Sequence, residues 1–124
     1  MRPDNWQLEE TIMLIELYFK TIDLPADQAQ NEIEKLSVLL RNRAVILQKS
    51  MDERYRNISG IKLQLESIRY LTSNGKEGID CPSKASASAL RLYQQMPEIF
   101  SQLSKEFYER YQISAKGNHA SNLT

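Results

Sequence analysis

Leu8, Ile12, Ile15, Phe19 and Ile22 recur at intervals of 4, 3, 4 and 3. That spacing places all five on one face of an α-helix. Met13, Leu14, Leu17 and Tyr18 add a second apolar stripe on the same segment. A helix that is apolar around most of its girth has to be surrounded by other elements, so the remaining chain is constrained to pack about residues 8–22. Asp4 or Asn5 is placed to cap its start, with Glu9 and Glu10 in the first turn, where the helix dipole favours anions. Pro25 disfavours helical dihedrals in its predecessor, so the helix is expected to stop by Asp23 or Leu24.

The rest of the chain is also helical in pattern. Ile33, Leu36, Leu39 and Leu40 predict a second helix from about Asp27, fading near Asn42; Ala44 to Leu47 either extends it or forms a separate turn. Residues 48–56 are polar and read as a loop or an exposed helical end. A third helix is predicted from Asn57 or Ser59 to about Leu71, burying Ile61, Leu65 and Ile68. The Asn74-Gly75 pair and Gly78 mark a flexible loop, closed by Pro82 and Ser83. A fourth helix starts near Ser86, and Pro97 either kinks it or opens a fifth, lined by Ile99, Phe100, Leu103, Phe107 and Tyr111. The expected fold is all-α, with four to five helices around one core in a single domain over 1–113. Residues 114–124 lack an apolar pattern and are expected to be disordered.

Composition narrows the chemistry. The 124 residues include one cysteine and one histidine, so an internal disulfide and a His/Cys metal centre are both out of reach, and no metal or other cofactor is expected. The histidine, His119, falls in the expected tail, away from any nucleophile. No glycine-rich phosphate loop occurs. Glu9, Glu10 and Glu16, like Glu32 and Glu34, are expected on solvent faces. Neither a membrane span nor a secretory leader is legible, and a cytoplasmic location is the expectation. The net charge is zero, yet residues 1–40 carry 3 basic and 8 acidic side chains while residues 41–91 carry 10 basic and 5 acidic. Segregated onto separate faces, the second segment has the electrostatic footprint of a nucleic-acid binder.

Three stretches carry a family likeness. Trp6-Gln7-Leu8-Glu9-Glu10, running on to Leu17-Tyr18, resembles the "W-T-x-E-E-x-x-x-A-L-x-L-Y" start that precedes the nuclease in a group of HNH-type restriction endonucleases. Tyr55-Arg56-Asn57-Ile58-Ser59-Gly60, running on to Leu71, is similar to that group's "F-R-N-P-x-G-V-x-x-K-L-x-N-F-x-x-L", with Ile58 in place of proline and Glu66 near the asparagine. Gly78-Ile79-Asp80-Cys81-Pro82-Ser83-Lys84 resembles its "G-L-x-x-x-S-K". The HNH nuclease motif is absent from this sequence. The resemblance implies a helix-turn-helix-like arrangement over residues 6–71, forming a DNA-recognition domain without its nuclease.

On that reading the partner is duplex DNA and the third helix enters a groove. Arg54, Arg56, Lys62, Arg69, Lys76 and Lys84 are then expected on phosphates, and Ser59, Lys62, Gln64 and Ser67 on base edges. The alternative is a protein-binding regulator, such as a phage-type inhibitor of a bacterial defence nuclease, using Glu9, Glu10, Glu16, Glu32 and Glu34. A further possibility is a homodimer built on the Leu92 to Tyr111 helix.

Overall fold

The computed structural model describes residues 5–80 and 83–120, the side chains of 113–120 excepted. The chain is all-α, with five helices and no strand among the described residues: α1 (Leu8–Thr21), α2 (Ala26–Ile46), α3 (Ile58–Thr72), α4 (Lys84–Gln95) and α5 (Pro97–Ala120). Asp4, Cys81, Pro82 and residues 121–124 lie outside the described residues.

α1 packs against each of the other four helices, whose main mutual contacts run α3 to α2, α2 to α5 and α5 to α4. The double apolar stripe explains this central position: every residue from Glu10 to Ile15 is buried, as is Leu17. Cross-contacts fix the directions. Thr11 Oγ1 donates to the Ala85 carbonyl at 3.1 Å and Phe19 stacks on Tyr93 at 4.5 Å, so α4 runs parallel to α1. Tyr18 shares a hydroxyl hydrogen bond with Thr72, while Glu10 meets Arg56 just ahead of α3, so α3 is parallel as well. α2 and α5 run the other way: Glu9 meets Arg43 and Lys20 meets Glu32, while Tyr111 and Ser104 donate to Glu9 and Glu16. The starts of α1, α3 and α4 therefore lie at one end of the bundle.

Several element boundaries are set by features outside the apolar pattern. The Gln7 amide donates to the Glu10 carboxylate at 2.9 Å, which makes Gln7 the N-cap of α1 in place of Asp4 or Asn5. α2 continues through Ala44 to Ile46, because Arg43 and Ala44 are buried against the core and carry the helix past Asn42. The backbone of α5 is helical to Ala120, past its apolar pattern; extending a formed helix adds one hydrogen bond per residue without a new nucleus. Pro97 is the first residue of α5, where its missing N–H costs nothing.

Of the expected core residues, Ile12, Ile15, Leu36, Leu40, Ile61 and Ile68 are buried, Phe19 and Leu65 pack on the core partly exposed, and Leu8 is 47% exposed. Leu8 and Leu65 sit at the rims of their stripes, where helical spacing alone does not separate core from flank.

Candidate functional site

The two longest motif stretches come together at the start of α1. Arg56 donates through Nε and Nη2 to the two carboxylate oxygens of Glu10, at 2.8 and 2.9 Å, and through Nη2 to the Asn5 carbonyl at 3.1 Å. Its guanidinium lies 4.1 Å from the Trp6 ring centroid and 4.5 Å from that of Tyr55. Glu10 is fully buried and Arg56 is 7% exposed. Arg43, also buried, hydrogen-bonds Glu9 and approaches Glu10 at 3.9 Å. Burial works against its charge, but the Glu9 hydrogen bond and both carboxylates outweigh it and hold Arg43 above its usual value. Arg110 and Tyr111 of α5 close the cluster onto Glu9.

This cluster corrects two expectations. Arg56 is not available to a phosphate, because its donors are bound inside the protein. Glu10 is not on a solvent face, because it is the buried counter-ion of Arg56. Glu9, Glu16 and Glu32 are also engaged: Glu9 by Arg43, Glu16 by the Ser104 hydroxyl at 2.6 Å, and Glu32 by Lys20 at 3.0 Å and Lys35 at 3.4 Å. Glu34 is exposed and accepts a hydrogen bond from Gln30. The motif residues thus tie the loop at 47–57 to α1. Ser37 and Arg41 of α2 hold the same loop by donating to the Arg56 and Tyr55 carbonyls. Arg56 takes a φ of 48°, a left-handed conformation uncommon for any residue but glycine, and the fork onto Glu10 stabilises it.

The third motif is structural as well. Gly78 has a φ of 86°, and a Cβ there would lie 2.2 Å from the Glu66 carbonyl and 2.6 Å from the Tyr70 amide. Only glycine lets the loop returning from α3 press this closely on the helix backbone. The Ile79 amide then donates to Glu66 O at 3.1 Å. Ser83 caps α4 by accepting from the Ser86 amide, and Asn57 caps α3 by accepting from Gly60.

The outer face of α3 is open to solvent in its first half, around Ser59, Lys62 and Leu63, while the loop at Gly78 and Ile79 rests on its second half, at Glu66, Arg69 and Tyr70. Ser59, Lys62, Leu63 and Arg69 are exposed, with Glu66 and Tyr70 half-buried beside them. At 100° per residue this face has two edges: Lys62 and Arg69, seven residues apart, form a basic edge, and Leu63 and Tyr70 form an apolar and aromatic one. Ser59 and Glu66 lie between. Ser67 is fully buried, and Gln64, half-buried with its Oε1 sealed from solvent, lies a further 100° around the helix from Leu63 and off this face. Leu63 and Glu66 take the outward positions that had been expected of Gln64 and Ser67.

Charge on the face is uneven. Arg69 is held above its usual value, first by a hydrogen bond to Glu77 at 3.2 Å and then by the charges of Glu77 and Glu66. Lys62, near the start of α3, has neither an acidic residue in its own first turn nor an ion pair among the described residues. Arg54 is exposed in the preceding loop, Lys76 in the following one, and Lys84 opens α4, whose first turn is likewise free of acid. Arg54, Ser59, Lys62 and Lys84 therefore sit at the end of the bundle where the starts of α3 and α4 leave unpaired backbone N–H groups.

Among the described residues no group of three His, Cys, Asp or Glu side chains is placed to hold a metal ion, and no helix is long and apolar enough to cross a membrane. Compared with family models, curated proteins and solved structures, the chain matches none, so the outer face of α3 has to be read from its own geometry.

Proposed function

We propose that this chain is a non-catalytic DNA-binding module that lays the outer face of α3 into the major groove. The observation that carries the proposal is the first half of that face: Ser59, Lys62 and Leu63 are turned outward with no acid in the first turn, and Arg69 is exposed two turns on beside the returning loop. A helix enters the major groove with its N-terminal residues reaching base edges, and those are the exposed residues here. Arg54, Lys62, Arg69, Lys76 and Lys84 are the phosphate contacts on this reading; Arg56 supports the loop from inside.

Fluorescence anisotropy against random-sequence duplex, read over a salt series, tests it. Affinity is expected to fall steeply with salt, and changing Arg54, Lys62 and Arg69 together to glutamine to flatten the slope by at most about three, roughly 0.9 for each lost phosphate contact. The variant is expected to keep the parent's denaturant midpoint. A parent protein without salt-sensitive binding overturns the proposal.

A protein partner is the second reading, a regulator of a defence nuclease among the possibilities, and a different surface favours it. Val38 and Val45 on the outer side of α2 are 56% and 57% exposed, beside a groove lined by Lys35, Leu39, Asn42, Tyr108 and Gln112. The four engaged carboxylates Glu9, Glu10, Glu16 and Glu32 do not serve it. Under this reading, Val38→Asp with Val45→Asp abolishes partner capture and leaves DNA affinity unchanged.

A further inference from the structure

We infer that α3 discriminates thymine through Leu63, by packing this side chain on the 5-methyl group; the inference rests on the DNA-binding reading above. Leu63 is 45% exposed and is the one large apolar side chain so exposed on α3. A leucine alone on a protein surface is ordinary and by itself means little. Its neighbours give this one a meaning. Lys62 precedes it, Ser59 lies one turn back on the same ridge, and Glu66 lies one turn ahead, so the leucine sits at the edge of a polar face in the first half of α3.

The geometry points to one base. In the major groove thymine displays a methyl group next to the O4 acceptor, a combination that no other base presents. Leu63 supplies the apolar contact, and the Ser59 hydroxyl, a donor with free rotation, is the group within one turn that serves O4. Across the face, the Lys62 edge meets phosphate, which fixes which side of the helix turns toward the bases. Ile79, 45% exposed, is anchored by its amide to Glu66 O, one turn beyond Leu63.

The test compares two duplexes of equal length and charge, alternating dA-dT and alternating dA-dU, which differ only in the thymine methyl. Parent protein is expected to bind dA-dT about fourfold more tightly at fixed salt, the value of one buried methyl-sized group. Leu63→Ala is expected to lose that preference, binding both duplexes as the parent binds dA-dU, with an unchanged denaturant midpoint and an unchanged salt slope. Equal parent affinity for the two duplexes, with the salt dependence intact, overturns the thymine inference and leaves the DNA-binding reading standing. A Leu63→Ala protein that keeps the parent's preference overturns it too, by placing the preference elsewhere. Parent protein that binds neither duplex in a salt-sensitive way overturns both.

Discussion

Glu10 and Arg56 stand 46 positions apart and meet without access to water. Removing one member of such a pair leaves the other charge buried alone, so Glu10→Gln is expected to cost about 3 to 5 kcal/mol. Urea unfolding measures this, and a variant with the parent's midpoint would show that the pair is solvated. Lys62→Gln, on the open face, is expected to change stability by no more than about 0.5 kcal/mol. The burial of Glu10 was not legible in the sequence, because a glutamate in a first turn is equally at home as a solvated cap. Its meaning came from a partner in another element. Leu63 falls outside the stripe of Ile61, Leu65 and Ile68 that the spacing expects to be buried, and the inward turn of Ile61 and Ile68 leaves it exposed.

Helices were easier to read than their neighbours. The 4, 3, 4, 3 spacing in α1 and the stripe of Ile33, Leu36 and Leu40 in α2 gave both elements, since periodicity records which side each helix must bury. Ends and loops were less legible. α5 outlasts its apolar pattern, with Tyr111 the last residue known to be buried. Truncation after Gln112 is accordingly expected to leave the core melting transition in place while lowering helical circular dichroism, and loss of soluble protein would show that the end of α5 packs. The loop from Ser73 to Ser83 reads as flexible from Asn74-Gly75, yet Gly78 and Ile79 seat it on the α3 backbone. Gly78→Ala forces a contact with the Glu66 carbonyl at a positive φ, so it is expected to destabilise the protein by more than about 1 kcal/mol. Faster amide hydrogen exchange at Ile79 is its signature.

On the scale of the whole molecule, opposite ends of the bundle hold different ionic arrangements. Lys20 and Glu32 join the end of α1 to the start of α2 at the surface, and their hydrogen bond raises the Lys20 value and lowers that of Glu32. The Glu32 contribution is complete above its ordinary 4.5 and lost as pH falls through the depressed folded value; the Lys20 contribution is complete below its ordinary 10.5 and lost as pH rises through the raised one. Parent and Glu32→Gln stabilities are therefore expected to converge in acid, and the gap at neutral pH to shrink in high salt, because Lys20 is 51% exposed. A gap unchanged in strong acid would show that the pair contributes nothing. The central place of α1 has a consequence for the chain as it is made. This helix is synthesised ahead of its neighbours, which extend to Tyr111, 90 residues beyond Thr21. At about 5 to 20 residues per second its apolar girth waits on the order of 5 to 18 seconds for cover. During that interval the nascent segment is a natural client for a chaperone, and Glu10 waits, hydrated, for the arginine that will enclose it.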